Sequence, residues 1–217
     1  MEIQRVAVLG DGGWGSCLST LLAGKGLDVR LWGAFSDYVR QVAKTRENVK
    51  FLPGVSIPEA VRCIPDVSEA LDQAQVVVVA IPSEYLKQTI EKIPAPKQAT
   101  IVSVVKGLDP GTHSRMSEVV QSVWEGVNPA VLSGPTIAYE VARGIPTAAV
   151  VAAEDPKQAE QVQTLFTTDT FRTYRSSDVI GVELGGALKN IVAIAAGIAD
   201  GLGFGTNTKA ALSSRGL

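Results

Sequence analysis

Histidine and cysteine are scarce in this chain. Its 217 residues include one histidine, His113, and two cysteines, Cys17 and Cys63. With a single histidine, we expect neither a histidine-based metal site nor a Ser/His catalytic triad, and we expect no bound metal. The two cysteines are spaced neither as a disulfide framework nor as a metal-binding pair, so we expect free, buried thiols in a reducing cytoplasm.

Runs of like charge and long hydrophobic stretches are also missing. The formal net charge is −2, with 46% apolar and 19% charged residues. This balance is typical of a globular α/β protein, and the sequence has no cluster of positive charge that would attract nucleic acid or anionic membranes. The longest apolar stretches, Val76–Ile81 and Ile191–Ala199, are too short to cross a bilayer, and Met1–Val6 lacks the features of a secretion signal. We therefore expect a cytoplasmic protein with no membrane span and no nucleic-acid partner.

The first part of the chain predicts a strand–helix–strand unit. The β-rich run Ile3–Leu9 stops at Gly10, and Asp28–Trp32 restarts a strand. Between the two strands, apolar residues follow helical spacing along one stripe, namely Trp14, Cys17, Leu18, Leu21 and Leu22. This order of elements is a βαβ unit.

Further aliphatic runs predict a mostly parallel, Rossmann-like sheet. We expect strands at residues 76–80, 100–105, 130–132 and 147–151, and helices at 83–93 and 114–124. Such continuous runs suit strands that are buried on both faces. Prolines at positions 53, 58 and 65 indicate an irregular passage after the second strand. The composition shifts to Gly/Ala-rich helix after Asp178, so we expect a Rossmann domain over residues 1–180 and the beginning of an all-helical domain over 181–217.

The glycine pattern Gly10, Gly12 and Gly15 predicts a dinucleotide site. The first glycine allows a tight turn, the second lets the backbone approach a pyrophosphate, and the third lets the helix pack on the strand. The helix that follows would present free N–H groups and the positive end of its dipole to the phosphates.

The end of the second strand bears on the choice of cofactor. A carboxylate that binds the adenosine ribose is expected there, but the sequence reads Trp32-Gly33-Ala34-Phe35. Asp28 lies before the strand and Asp37 lies late, and no arginine cluster is present to hold a 2′-phosphate. The missing carboxylate favours NADP(H) as cofactor and permits NAD(H).

Two polar segments follow predicted strands directly. Lys106 comes after the strand at 100–105, and Ser133-Gly134-Pro135-Thr136 comes after the strand at 130–132. Because ligands collect at the carboxyl ends of strands in open parallel sheets, Lys106 could hold an anionic or hydroxylated substrate. The alternatives are a solvated lysine and a simple helix N-cap turn.

Lys189 lies within a segment, 182–196, that is otherwise almost wholly apolar or small and is predicted to be a buried helix. On the same side of this helix lie small and apolar residues, namely Gly185, Gly186, Val192, Ala193 and Ala196. A buried lysine without a partner has a depressed pKa and can transfer protons near neutral pH. The alternative is a structural lysine that pairs with Glu183 or extends to solvent.

Together these segments resemble the bacterial type of NAD(P)-dependent glycerol-3-phosphate dehydrogenase. They match the family's order from end to end, and the last four are far more specific than the glycine fingerprint. The matching segments are 10–15 (GDGGWG), 51–53 (FLP), 81–83 (IPS), 106–108 (KGL), 133–140 (SGPTIAYE), 184–190 (LGGALKN) and 200–209 (DGLGFGTNTK).

The resemblance implies a role for individual residues. Lys189 corresponds to the catalytic proton acceptor, and Lys106 would contact both cofactor and substrate. The resemblance also assigns Gly134 and Thr136, together with Lys189, to the substrate. Beside Gly10, Gly12 and Gly15 of the glycine pattern, it places at the cofactor Gly13, Trp14, Ala138 and, near the adenosine ribose, Ala34. The implied reaction is reversible hydride transfer that interconverts sn-glycerol 3-phosphate and dihydroxyacetone phosphate, which would supply phospholipid synthesis.

The family departs from this sequence in length. Its members continue into a helical domain that carries an aspartate and a Ser-Arg-Asn segment for the substrate, whereas this sequence ends at Ser213–Leu217. We therefore expect the stretch 181–217 to be a truncated part of that domain, and we expect the 217 residues alone to bind cofactor but hardly catalyse.

Two other functions stay open at this point. A β-hydroxyacid dehydrogenase of the 6-phosphogluconate or hydroxyisobutyrate type also pairs a glycine fingerprint with a helical Gly-x-x-Lys, here Gly186 to Lys189. A non-catalytic NAD(P)-binding module would need no proton acceptor. The sequence leaves the oligomeric state open, with a homodimer as one option.

Overall fold

The structure is a computed structural model that describes residues 3–216. Met1 and Glu2, at the start of the segment that lacks a secretion signal, and Leu217 lie outside the described residues. In chain order the strands are β1 (Arg5–Leu9), β2 (Asp28–Trp32), β3 (Glu47–Asn48), β4 (Leu52–Ser56), β5 (Val61–Ile64), β6 (Val76–Val79), β7 (Thr100–Ser103), β8 (Ala130–Ser133), β9 (Thr147–Ala152) and β10 (Phe171–Ser176). The helices are α1 (Gly13–Ala23), α2 (Ser36–Thr45), α3 (Val67–Leu71), α4 (Ser83–Ile90), α5 (Met116–Val123), α6 (Ala138–Ala142), α7 (Pro156–Phe166), α8 (Val179–Gly201) and α9 (Thr206–Gly216).

Eight strands form one sheet in the order β10-β9-β8-β7-β6-β1-β2-β5. All neighbouring pairs are parallel except β8 and β9, which are antiparallel. The predicted mostly parallel, Rossmann-like sheet is therefore confirmed. Strand order reverses between β1 and β6, which is where ligands bind in sheets of this kind.

The central strands are buried on both faces. All four valines of β6 have 0% exposure, with Val76 and Val78 in the core on one face and Val77 and Val79 in the core on the other. Helices cover both sides, so neither face of β6 meets water. This double burial explains why the strand reads as a continuous aliphatic run rather than as an alternating one.

The proline-containing passage after β2 is more regular than expected. It contains the antiparallel pair β3–β4 and the strand β5, which extends the main sheet beside β2. Pro53 lies within β4, in a two-stranded ribbon where a missing N–H is tolerated. The prediction of an irregular passage was wrong because these strands are short and lie at edges. The edge strand β10, with the sequence FRTYRS, was not predicted, since it lacks the continuous aliphatic run by which the other strands were recognised.

Helix α8 begins at Val179, where the side chain of Asp178 accepts a hydrogen bond from Gly181 N at 2.8 Å. The prediction of a helix here is confirmed, but the prediction that it is buried is wrong. Only three of its residues are buried, namely Glu183, Gly186 and Ala199, whereas Ile191 is 65% exposed. Within the described residues only α9 folds back along this helix, so most of its apolar surface stays open.

By length and composition alone, α8 could cross a membrane, because the run Ile191–Ala199 belongs to a helix of 23 residues. Core helices of soluble proteins share this property, so a single such helix is weak evidence. The expectation of no membrane span stays a prediction.

A buried carboxylate holds α8 against the sheet domain. Glu183 accepts hydrogen bonds from Arg115 Nη1 at 2.7 Å, Ser117 N at 2.8 Å and Ser117 Oγ at 2.5 Å, and its side chain is 4% exposed. The alternative in which Glu183 pairs with Lys189 is therefore wrong. The carboxylate accepts three hydrogen bonds from residues at the start of α5, and it therefore fixes the beginning of α8 against the sheet domain.

We predict that Glu183→Ala lowers the free energy of unfolding by about 3 kcal/mol, because it removes one of the two carboxylates that Arg115 binds and leaves the buried Ser117 N–H without its acceptor. Urea unfolding measures the change. The control is Glu160→Ala, which breaks only the exposed pair with Arg175 and should cost less than about 1 kcal/mol. Equal effects of the two substitutions would contradict the anchoring role.

Candidate active site

The glycine turn after β1 is fixed by close backbone contacts. Gly10 has a φ of +119°, and a Cβ added there would lie 2.6 Å from Ala80 O. A Cβ at Gly15 would lie 1.9 Å from Gly10 O. Packing therefore requires glycine at both positions. A side chain at Gly10 would push the turn away from the end of β6, and a side chain at Gly15 would push α1 away from the turn.

Gly12 differs from its neighbours in this respect. A Cβ added at Gly12 would meet no protein atom within 4 Å, although one at Gly13 would lie 2.5 Å from Phe51 O. Gly12 is also the N-cap residue of α1, and no side chain caps this helix start. An open surface beside uncapped helix N–H groups fits a pyrophosphate, so the turn fits the dinucleotide that the sequence predicts.

Trp14 and Lys106 meet beside this turn. Lys106 Nζ lies 5.9 Å from the centroid of the Trp14 ring and donates a hydrogen bond to Thr136 Oγ1 at 2.7 Å. Trp14 Nε1 is buried, and no group among residues 3–216 accepts its hydrogen bond. The segments after β7 and β8 are thus brought together at one edge of the sheet. Strand β7 ends at Ser103, earlier than predicted, so Lys106 lies on the loop.

Burial and, to a smaller extent, the positive charge of Lys189 together lower the pKa of Lys106 to about 8. The sequence analysis predicted a depressed pKa for Lys189 and none for Lys106, so this shift on the loop after β7 was not foreseen. An ammonium group that is partly desolvated gains from an anion, so this position favours a phosphate or a polarised oxygen.

Close packing of α8 on β8 forms a cleft of about 290 Å³, which is lined by Ser133, Gly134, Pro135, Val150, Val182, Gly185, Gly186 and Lys189. A Cβ at Gly186 would lie 2.3 Å from Ser133 Oγ, whereas one at Gly185 would meet nothing within 4 Å. Gly186 therefore lets α8 approach β8. The Ser133 hydroxyl is buried, and no group within residues 3–216 forms a hydrogen bond with it.

Lys189 is exposed, so the prediction of a buried lysine is wrong. Its Nζ donates a hydrogen bond to Asn190 Oδ1 at 2.7 Å. The small residues around it do leave space, as the sequence suggested, but no described element fills that space. Lys189 nevertheless lines the same cleft as Gly134, and its charge acts on Lys106.

The two alanines that the resemblance assigns to the cofactor, Ala34 and Ala138, lie at different places around the glycine turn. Ala138, at the start of α6, has its Cβ 3.9 Å from the point where a Gly13 Cβ would be, so it neighbours the glycine turn. Ala34 is exposed just after β2.

Sequence reasoning missed Asn48, which holds the glycine turn from the side. This fully buried residue donates from Nδ2 to Asp11 O at 2.7 Å and to Ser16 Oγ at 2.8 Å. Tyr38 OH donates to its Oδ1 at 2.7 Å. The only signal was a polar residue in the passage predicted as irregular, and an asparagine there gives no hint of its partners.

Comparison with known families finds two matches. Residues 5–159 match the family described as NAD-dependent glycerol-3-phosphate dehydrogenase N-terminus, and residues 178–217 match the corresponding C-terminus.

Individual relatives agree with these matches. The chain is 48% identical over 219 residues to glycerol-3-phosphate dehydrogenase [NAD(P)+] of Pelotomaculum thermopropionicum, covering 98% of this chain and 62% of that protein. It is 44% identical to the protein of the same name from Chlorobium phaeobacteroides, covering 99% and 66%. A crystal structure of glycerol-3-phosphate dehydrogenase from Coxiella burnetii superimposes with a TM-score of 0.88 at 36% identity, covering 99% of this chain and 66% of that one. The chain thus spans just under two thirds of the length of these relatives.

We predict that Lys106 makes the free energy of unfolding rise with pH between about pH 8 and pH 10.5. Below about pH 8, Lys106 is charged in both the folded and the unfolded protein, so the folded protein is destabilised by the full free-energy cost of burying this charge. Within the stated pH window the unfolded state binds more protons than the folded state, whose Lys106 pKa is about 8 instead of 10.5, so stability increases with pH.

Urea unfolding of the parent and of Lys106→Met at about pH 7 and about pH 9.5 measures this contribution. The variant should gain less stability than the parent over the same interval. Lys157→Met, on the exposed start of α7, is the control and should behave as the parent does. A parent and a Lys106→Met variant with identical pH slopes would show that burial does not shift this lysine.

Proposed function

Because the chain belongs to the family of NAD-dependent glycerol-3-phosphate dehydrogenases, we propose that the whole protein interconverts sn-glycerol 3-phosphate and dihydroxyacetone phosphate. The reaction is reversible hydride transfer with NAD(H) or NADP(H), and its product would supply phospholipid synthesis. The observation that supports this proposal best is the convergence of three parts at one edge of the sheet: the open glycine turn, Lys106 and the α8 cleft that Lys189 lines.

The cofactor lies along the turn and across the sheet edge in this proposal. Gly12 and Gly13 hold the pyrophosphate at the start of α1, with Gly10 and Gly15 shaping the turn. Trp14, Ala138 and Lys106 contact the nicotinamide half, and Ala34 lies near the adenosine ribose. When bound, the cofactor supplies or accepts the hydride.

Lys106 positions the substrate from the other side. Its ammonium group is held by Thr136 and lies over Trp14, so it points to the junction of the cofactor site and the cleft. A substrate oxygen that replaces Thr136 as acceptor would restore the solvation that burial has removed. Gly134 and Thr136 then contact the substrate in the cleft beneath α8.

Lys189 serves as the proton acceptor in this proposal. During oxidation the neutral amine of Lys189 takes the proton from the C2 hydroxyl and becomes an ammonium, and during reduction this ammonium returns the proton to the C2 oxygen. Its exposure along the described chain leaves the amino group accessible to a substrate in the cleft. In its protonated form Lys189 adds a second positive charge beside Lys106, which suits a phosphorylated substrate.

Three further features belong to the proposal. We divide the chain at about residue 180, into a Rossmann domain and part of a helical substrate domain. The protein acts in the cytoplasm, and a homodimer is one assembly that it could adopt. Neither rival function is retained, because no observation in the cleft favours a short hydroxyacid or a purely cofactor-binding role.

We predict that Gly12→Val weakens NADH and NADPH binding about tenfold or more, which corresponds to a loss of about 1.4 kcal/mol of binding free energy. The side chain points into space that is free of protein, so it should collide with the pyrophosphate without unfolding the turn. Cofactor fluorescence titration gives the affinities, and thermal unfolding checks the fold. Gly12→Ala should show a smaller loss. Parent-like binding by the valine variant would refute the position of the pyrophosphate.

For Lys189→Met in the whole protein, we predict unchanged cofactor affinity and a turnover that falls by about 10²–10⁴-fold, the usual contribution of a general base. Steady-state reduction of dihydroxyacetone phosphate measures the rate, and Lys157→Met is the matched control. If the Lys189 variant turned over as fast as the control, only a structural role for this lysine would remain.

A further inference from the structure

The end of β2 lacks the carboxylate that commonly binds the adenosine ribose. In the fingerprint that Gly10–Gly15 represent, an aspartate or glutamate about 20 residues further on accepts a hydrogen bond from the ribose 2′-hydroxyl. Here β2 ends at Trp32, and the next residue is Gly33, which has no side chain. Sequence alone therefore suggests a site that is open to a 2′-phosphate.

The structure brings a carboxylate to this place from another part of the chain. A Cβ added at Gly33 would lie 2.2 Å from the carboxyl carbon of Asp11 and 2.3 and 2.4 Å from its two oxygens. The side chain of Asp11 therefore occupies the space that a side chain on Gly33 would take. The two residues meet because β1 and β2 are paired neighbours, with Gly10 N donating to Trp32 O at 2.8 Å.

The backbone of Asp11 is held in this position. Asn48 Nδ2 donates to Asp11 O at 2.7 Å, and Asn48 itself is fully buried. The preceding residue, Gly10, packs so closely against the backbone of Ala80 that it has no room for a side chain. The carboxylate is consequently placed by rigid elements rather than by a mobile loop.

The carboxylate of Asp11 is short of partners. Its Oδ2 is buried, and no group among residues 3–216 donates a hydrogen bond to it. Burial raises the pKa of Asp11, and a hydrogen bond to its own backbone N–H and the charge of Lys50 lower it to a smaller extent. A buried acceptor without a donor is costly unless a ligand supplies one, and a ribose hydroxyl is such a donor.

We propose that Asp11 reads the 2′ position of the adenosine ribose and makes the cofactor site prefer NAD(H) to NADP(H). The ribose 2′-hydroxyl of NADH donates to the Asp11 carboxylate, whereas the 2′-phosphate of NADPH meets a like charge at the same place. The proposal rests on the proposed function, because it requires a dinucleotide on the glycine turn.

Other charged residues near the end of β2 are less suited to this role. Asp37 is fully exposed and already pairs with Arg40 at 2.8 Å. Lys50 is the nearby cation that could attract a 2′-phosphate, but its Nζ lies over the Phe51 ring at 4.9 Å. Asp37 therefore provides a matched control, since it is an exposed carboxylate that follows the end of β2 in the sequence.

The test is a titration of the parent, Asp11→Asn and Asp37→Asn with NADH and NADPH, followed by cofactor fluorescence. We expect the parent to bind NADH about tenfold or more tightly than NADPH, since like charges in contact are strongly unfavourable. Asp11→Asn should bring the two affinities to within about threefold, mainly by improving NADPH binding. Asp37→Asn should keep the parent ratio. Asp11→Ala, a second variant, should lose the preference in the same direction.

Competition between each cofactor and its adenosine half tests the contribution of the ribose 2′ position without the nicotinamide half. Adenosine 5′-monophosphate and adenosine 2′,5′-bisphosphate should show the same preference in the parent and the same loss of it in Asp11→Asn. A parent ratio that Asp11→Asn and Asp11→Ala leave unchanged, or that they alter only by weakening both cofactors equally, overturns the role of Asp11 while the proposed function stands. If the parent binds neither cofactor nor either half, the proposed function itself fails.

Discussion

The rest of the site depends on the contact between the glycine turn and the backbone around it. Gly15 allows α1 to approach the carbonyl of Gly10, and Gly10 in turn allows the turn to approach Ala80 after β6. Because both contacts are between backbone atoms, no rearrangement of side chains could relieve a clash. This packing directs the uncapped start of α1 and the open surface at Gly12 toward the sheet edge where Lys106 and Thr136 lie.

A second contact, between α8 and the sheet domain, completes the cleft. Glu183 fixes the beginning of α8 to Arg115 and Ser117, and Gly186 lets the helix lie against Ser133 one turn later. Lys189 then follows on the same helix, close enough for its charge to act on Lys106. The positive charges of Lys189 and of the partly desolvated Lys106 repel each other, and the anionic substrate that we propose would relieve that repulsion.

The sequence predicted those parts whose signals are local. The β1 run, the glycine turn and the stripe from Trp14 to Leu22 lie within one short stretch, and the aliphatic runs of β6 and β8 reflect burial on both faces. What it could not predict depends on contacts between distant segments. The prediction that Lys189 is buried was wrong, because helical spacing shows which residues lie on the same side of a helix but not whether another element covers that side. Asn48 and Asp11 escaped notice for the same reason, since their importance lies in partners far along the chain.

Isotope transfer tests the central claim most directly, because it follows the hydride itself. The whole protein would reduce dihydroxyacetone phosphate with cofactor that carries deuterium on either face of nicotinamide C4, and mass spectrometry would locate the label in the product. We expect sn-glycerol 3-phosphate with one deuterium at C2 when the label is on one face of the nicotinamide, and none when it is on the other. Absence of this product, or product that takes no deuterium from either face, would contradict direct transfer across the cleft between the glycine turn and α8.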